Sequence, residues 1–505
     1  MKTLQKYILE HQEEIAQAAC LDSGKTRVDA SFGEILVTAE KISWTLKHGE
    51  AALKPESRPS NLLMCYKRNE VRYEPLGVVA AAVSWKYVPQ VHPPSEPANT
   101  PPSYPFHNLL NPIISSLFTG NAIILKSSEQ TAWSASFFVS IARAALTACN
   151  HSPHLIQLIT CWPSVASHLS SHPSLAHLTF IGSRPVAHHV ARDAAKALTP
   201  VTVELGGKDA AIVLDDAKDL GSIASILMRG VFQAAGQNCV GIERIIALPH
   251  VYPKLIDLLG PRIRGLRQGD PLSHEESVDV GAAISPSGFD NLERLIAEAV
   301  RDGARLLVGG KRYTNPRAPK GHYFSPTLLV DVTPGMAISQ HELFGPVCVV
   351  MRASSVSDAI AITNGTPYGL GCSVFGSNTS DLEKVTQGVS VGMVAVNDFA
   401  AYYVCGLPFG GVRGSGYGRF GGPEGLRALC NTKAVCRDRW PWLASTAIPK
   451  RLDYVAQVKV EEVGKTGESG AKAKAWAFAK GIVQTGYGVS WGQRVEGVVS
   501  LMRNG

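Results

Sequence analysis

Residues 122–126 read AIILK, 155–160 LIQLIT and 177–182 HLTFIG, three short apolar runs separated by stretches with helical periodicity. A run of that length, largely apolar, suits a strand of a buried sheet, and helices between such strands are the rhythm of a parallel sheet covered on both sides. GVVAAAVSW, from Gly77 to Trp85, reads as a further buried strand ahead of them. The expected class is α/β, with a dinucleotide-binding fold as a natural candidate for this lobe. From about Gly207 a second series begins: DAAIVLDD, RGVFQAAGQNCVGIERIIAL, FSPTLLVDV, FGPVCVVM, GCSVFG and VGMVAVND. It predicts a second α/β lobe.

The bulk numbers agree with two lobes, because 505 residues exceed the size at which one hydrophobic core usually stops growing. Apolar residues make up 45% and charged residues 18%, far from a disordered profile. The net charge of +7 is spread thinly, with no basic block of the kind that binds nucleic acid, so no nucleic-acid partner is expected. Ten cysteines stand at irregular spacings without a C-x-x-C pair, which argues for a reducing compartment and against a bound metal. The opening MKTLQKYILEHQEEIAQAAC is amphipathic, unlike a signal peptide, and no apolar stretch is long enough to cross a bilayer. As written, the chain reads as cytoplasmic. Its tail beyond Trp440 interleaves Trp, Phe, Val and Leu with Lys and Arg, and is expected to dock on the protein surface, with peripheral membrane contact as the alternative.

Two segments carry candidate chemistry. In FQAAGQNCV (232–240), Cys239 follows Gly236, Gln237 and Asn238, where backbone N–H groups could favour a thiolate and cradle an oxyanion. A lone Cys is more often a small buried hydrophobe, but these neighbours point to a nucleophile. In VTVELGGKD (201–209), Glu204 ends an apolar strand just before Gly206 and Gly207, where a carboxylate facing a cleft can act as a base; a structural salt bridge is the alternative.

VELGGKD, GQNCVGIER, ELFGPV and LPFGGVRGSGYGRFGG resemble the signature segments of the aldehyde dehydrogenase superfamily, in its order and at similar spacing, from near residue 1 to about residue 436. The nearest subgroup is the fungal and plant branch whose relatives carry an amino-terminal hydrophobic anchor. The resemblance implies a Rossmann-like cofactor lobe (1–206, with an oligomerisation hairpin at 57–76), a catalytic lobe (207–415), a return to the oligomerisation region (416–440), a tail (441–505) and a homo-dimer or tetramer. It implies that Cys239 attacks a small-molecule aldehyde and forms a thioester, that Glu204 activates the hydrolytic water, and that NAD, less readily NADP, accepts hydride. Hydrolysis through Glu204 disfavours transfer of the acyl group to coenzyme A.

The cofactor would be held by Trp85, Lys126, Glu129, Gly182, Ser183, Leu205, Glu342 and Phe344. Lys126 and Glu129 would take the adenosine ribose, where a carboxylate repels a 2′-phosphate, although a Lys and a Glu three apart are more often a solvated pair. Gly182 and Ser183 would meet the pyrophosphate where a helix begins. Glu342 and Phe344 would hold the nicotinamide ribose and flank the ring, and Leu407 to Gly411 would wall the catalytic funnel or mark a simple turn. Ile181 stands where the family usually has Thr.

One departure is large. The family's oxyanion-donating Asn should follow the Gly77–Trp85 strand at once, but Lys86 follows instead, then a proline-rich stretch, and the pattern resumes at Tyr104 as YPFHNLLNP. Lys86-Tyr87-Val88 can be encoded with a donor splice site and Ser103 with an acceptor end, and joining them restores Asn, so residues 86–103 read as a retained intron. The alternative is a real proline-rich loop with Asn99 as substitute donor. The displaced Asn also motivates a rival function, a catalytically impaired homologue with a structural role. The chain begins late relative to the family, so membrane association is expected if an anchor precedes Met1.

Overall fold

The apolar runs become parallel strands in the computed structural model of this chain, which describes residues 1–83, 104–273, 277–403, 406–443, 446–449, 452–453 and 468–504. Trp85 and the whole of the 86–103 insertion, Lys86, Asn99 and Ser103 included, therefore lie outside the described residues. Strands β1 (Val78–Val83), β2 (Ala122–Ser127), β3 (Ile156–Thr160), β4 (His177–Ile181) and β5 (Val201–Glu204) lie in the order β3-β2-β1-β4-β5. Gly416–Tyr417 adds an antiparallel edge beside β5. Small residues explain why β1 takes the centre. Val79, Ala81 and Val83 face one apolar cluster while Ala80 faces another, so helices close onto both faces of the strand. The chain moves outward one way through β2 and β3, then returns to β4 on the other side of β1. That reversal opens a crevice at the carboxyl ends of β1 and β4, where open α/β sheets bind their ligands.

A second sheet holds β6 (Ala210–Val213), β7 (Arg244–Ala247), β8 (Arg305–Val308), β9 (Thr327–Val332), β10 (Val347–Arg352), β11 (Gly371–Phe375) and β12 (Met393–Val396). Their order is β8-β9-β10-β7-β6-β11-β12, parallel except for the antiparallel edge strand β8. Buried Ile, Leu and Val side chains of this sheet and its helices form the largest apolar cluster.

Both sheets belong to one compact unit, Met1–Leu53 with Glu74–Asn431. Its amino-terminal helices lead through a π-helical turn, Ser31–Leu36, into α1 (Val37–Leu53). Helices α2 (His107–Phe118) and α3 (Arg184–Ala195) follow β1 and β4. The other unit, Lys54–Tyr73 with Thr432–Gly505, is described by itself. In it Glu56–Arg58 pairs antiparallel with Lys67–Pro75, and Cys430–Asp438 completes a three-stranded sheet. The tail forms two helices, Glu468–Tyr487 and Trp491–Asn504, which approach closely at Gly481 and Gly497 and leave Trp476 and Trp491 exposed. No described helix is long and apolar enough to cross a membrane.

Candidate active site

Helix Leu220–Phe232 runs into a tight turn, Gln233–Gly236, in which Ala234 (φ 52°), Ala235 (φ 56°) and Gly236 (φ 73°) are all left-handed. Two consecutive alanines in that region are costly and persist only where surrounding contacts over-determine them. Here the Ala234 N–H donates to Asp29 Oδ2 (3.1 Å), and Gln237 Nε2 donates to the Ala234 carbonyl (2.9 Å). Gln237 Oε1 in turn accepts from the Ile284 N–H (3.1 Å). A Cβ on Gly236 would overlap the backbone of Gly345, so only glycine lets the two loops touch. Cys239 leaves this turn half-buried, followed by Val240, whose N–H donates to Asn238 Oδ1 (3.3 Å).

Glu204 closes β5, in register with Ile181 on one side and Gly416 on the other, and is 2% exposed. Cys239 and Glu204 line the same cavity of about 380 Å³, together with Gly182, Ile181 and Phe344. That volume suits a small organic substrate. Much of the remaining wall is aromatic: Phe32, Tyr104, Phe399, Tyr403, Phe409 and Phe420. Burial pushes the Tyr104 and Tyr403 phenols well above their ordinary range, so both stay protonated. Arg229 also lines the cavity, but its guanidinium is paired with Asp29 at 2.9 Å. Of the 407–411 segment Phe409 lines the cavity, as do Asn108 and Asn111 of α2.

The remaining sequence candidates stand off this cavity. Lys126 ends β2 as a buried residue, and its Nζ donates to Glu129 Oε2 at 3.3 Å, so the pair is enclosed rather than solvated. Glu129 Oε1 is buried and without a hydrogen-bond partner among the described residues. Ser183, the N-cap of α3, makes no side-chain cap bond, and its buried hydroxyl also lacks a partner. A nicotinamide dinucleotide fits these two groups by chemistry: ribose hydroxyls donate to a carboxylate, and a pyrophosphate accepts from a serine hydroxyl at a helix N-terminus. Leu205 packs its side chain against Phe180, Ala187 and Val203, and its N–H donates to the Ser415 carbonyl (3.1 Å). Glu342 lies against Gly206, where a Cβ would overlap its carboxylate.

Some positioning groups escaped the sequence reading. Glu243, in the quoted GIER segment, accepts Lys208 Nζ (2.7 Å) and the N–H groups of Leu343 and Phe344 (2.9–3.1 Å), fixing the loop that carries Glu342 and Phe344. Its signal was a carboxylate amid apolar residues inside a motif. Glu34 accepts Lys25 Nζ (2.6 Å) and the N–H groups of Phe106 and His107 (2.8 Å each), anchoring the start of α2 beside the cavity. Among the described residues no cluster of three His, Cys, Asp or Glu could hold a metal ion.

Comparison with known proteins finds relatives of this sequence and fold. The model of the aldehyde dehydrogenase family covers residues 1–93 and 98–435. An aldehyde dehydrogenase-like protein of Schizosaccharomyces pombe is 50% identical over 504 residues, spanning 100% of this chain and 90% of its own length. One of Saccharomyces cerevisiae is 50% identical over 513 residues, spanning 100% of this chain and 75% of its own length. PnpE from Pseudomonas, solved in complex with nicotinamide adenine dinucleotide, superposes with a TM-score of 0.77 at 26% identity, covering 88% of this chain and 85% of that one. An NADP-dependent enzyme of Escherichia coli gives 0.75 at 28% identity, covering 86% and 84%.

Proposed function

Because the chain belongs to the aldehyde dehydrogenase family, we propose that it oxidises an aldehyde to a carboxylic acid with a nicotinamide dinucleotide, through a thioester on Cys239 and with Glu204 as general base. The observation that supports this most directly is the shared cavity: Cys239 and Glu204, thirty-five positions apart in sequence, line one aromatic-walled space.

The Cys239 thiolate adds to the carbonyl carbon, placing a negative charge on the former carbonyl oxygen next to the Asn238 to Val240 backbone. A bound dinucleotide would supply the acceptor for the hydride that leaves this carbon, and return of the oxyanion's electron pair to a C=O bond gives the thioester. Glu204 then takes a proton from water, the resulting hydroxide attacks the acyl carbon, and the Cys239 thiolate departs as the acid forms. Aromatic walls keep other water away from the thioester. Glu129, with an unfilled acceptor where the adenosine ribose would lie, supports NAD over NADP, because a 2′-phosphate would face a carboxylate.

The test follows reduced nicotinamide by absorbance over a panel of aldehydes. Wild type should turn over, and Cys239→Ala should fall to background while still binding the dinucleotide. Glu204→Gln should release one equivalent of reduced cofactor per site and then stall as acyl-enzyme. Full steady turnover by Cys239→Ala would remove the nucleophile from the scheme.

A further inference from the structure

Lysine ordinarily buries its methylene stem and leaves its ammonium in water. Lys41, on α1, is inverted: its side chain is only partly covered, yet its Nζ is sealed from solvent and has no hydrogen-bond partner or ion pair among the described residues. It lines a lobe of about 30 Å³ that shares Val37, His107, Asn111, Tyr403, Phe409 and Phe420 with the wall of the main cavity. A second polar atom waits at the same place. His107 Nδ1 lies 2.8 Å from Thr38 Oγ1, while its buried Nε2 has no partner. With the Thr38 hydroxyl donating to Nδ1, the proton sits on Nε2 and the ring becomes a donor facing outward from that bond.

Burying one ammonium and one N–H without acceptors costs free energy unless something supplies the acceptors. Among the described residues the titratable groups lining the lobe beside Lys41 are Glu40, His107 and Tyr403, and Glu424 lies against Gly422 of its wall. Glu40 makes no ion pair with Lys41 among the described residues, burial and the neighbouring lysines bring His107 down to about 3, and burial keeps the Tyr403 phenol protonated. Lys41 Nζ and the His107 ring therefore present a positive charge and a donor to the lobe that no described residue pairs, although Glu40 also lines it. Burial also brings Lys41 down to about 8, which leaves it cationic at neutral pH.

We propose that this lobe is an anion subsite, and that the aldehyde oxidised here carries a carboxylate at its far end, received by Lys41 Nζ and His107 Nε2. The substrate class rests on the dehydrogenase assignment above; the subsite itself does not. Lys41 is on this view a specificity-determining residue, remote from the reacting carbon.

The experiment has a binding arm and a kinetic arm, both on the full chain. Calorimetry compares straight-chain monocarboxylates with primary alcohols of the same length as probes of the cavity. Wild type should favour the carboxylate by about 10- to 100-fold, the scale of hydrogen bonds to charged groups, and Lys41→Met should lose that preference. In wild type alone, carboxylate affinity should fall by about 10-fold per pH unit above pH 8 as the ammonium is lost, a readout that needs no variant to fold. In kinetics, the ratio of kcat/KM for ω-carboxylate over methyl-terminated aldehydes should exceed one, and its loss in Lys41→Met should fall on KM. Oxidation of both aldehyde types without preference would overturn the subsite and leave the dehydrogenase standing. Lys41-dependent carboxylate binding without any aldehyde oxidation would support the subsite and overturn the dehydrogenase. Equal binding of carboxylate and alcohol, insensitive to pH, would overturn it outright.

Discussion

Replacing Glu34 by Gln asks whether one buried carboxylate holds the cavity wall in place. Its Oε1 receives Lys25 Nζ at 2.6 Å, and its Oε2 receives the Phe106 and His107 N–H groups at 2.8 Å, with both side chains of the pair about 1% exposed or less. A glutamine of the same shape offers one acceptor and one amino group. If its oxygen keeps the two backbone donors, its NH₂ confronts a buried ammonium; if it turns round, the first turn of α2 loses its acceptor. Breaking a buried ion pair from one side costs about 3–5 kcal/mol, a large share of the ~5–15 kcal/mol that holds a typical domain. For a unit of this size that corresponds to a drop in Tm on the order of 3–6 °C. The control is Lys25→Met with Glu34→Gln. It removes the stranded cation while the amide oxygen still serves Phe106 and His107, so most of the loss should return, less the contact of Lys25 with the Tyr104 ring at 4.1 Å. Differential scanning calorimetry of wild type, both single variants and the double variant measures this. Wild-type melting of Glu34→Gln, or a double variant no more stable than that single one, would refute the reasoning.

Three further outcomes follow from the same geometry. Glu129→Ser should raise the NADP-over-NAD ratio of kcat/KM by about 10-fold or more, since like-charge contact with a 2′-phosphate costs several kcal/mol; an unchanged ratio would detach Glu129 from the ribose. Gly206→Ala should displace the Glu342 carboxylate and weaken dinucleotide binding with little loss of Tm, measured by titrating the cofactor against intrinsic fluorescence. Lys41→Met should stabilise the ligand-free protein at pH 7 by about 3 kcal/mol, the cost of a pKa held near 8 rather than 10.5. The sign follows from proton counting: between about pH 8 and 10.5 the unfolded chain holds more protons than the folded one, so wild-type stability climbs with pH and the variant's advantage shrinks there. A stability difference flat across that range would show that Lys41 is not the buried cation it is taken to be.

The parts of this protein that were legible in its sequence are those whose cause is local. β1, β2 and β4 were visible because interior strands are buried and apolar along most of their length, and the edge strand β3 because it keeps Ile156, Leu158 and Ile159 although most of it is exposed, whereas Arg305–Val308 is short, half-exposed and preceded by no such run. Cys239 and Glu204 were visible because glycines and small polar residues crowd beside them for reasons of backbone geometry, as Gly236 against Gly345 illustrates. The π-helical turn at Ser31–Leu36 was not, since its apolar spacing does not differ from that of an ordinary helix over six residues. Nor were Lys25 with Glu34, or Lys41. A lysine on an amphipathic helix reads as a solvated face, and only the packing of α1 against α2 turns the Lys41 amine indoors.

Taken with that inward amine, Glu204 and Lys41 favour opposite charges. Glu204 lines the main cavity with Cys239, and an ammonium without a partner among the described residues lines the adjoining lobe. An aldehyde with a distal carboxylate is oriented by both at once, its anion drawn to Lys41 and kept from Glu204, which leaves the neutral carbonyl to meet the thiolate. Oxidation then changes the balance. The product carries a second carboxylate, formed beside Glu204 in a water-poor, aromatic-walled space where like charges are weakly screened. The attraction at Lys41 is the same for substrate and product, so the new repulsion acts on the product alone and favours its departure. A dicarboxylate should accordingly bind this cavity more weakly than a monocarboxylate of equal length, although it could engage Lys41 equally well. Tighter dicarboxylate binding would mean that the Glu204 end accepts an anion, and the charge asymmetry of the cavity would have to be abandoned.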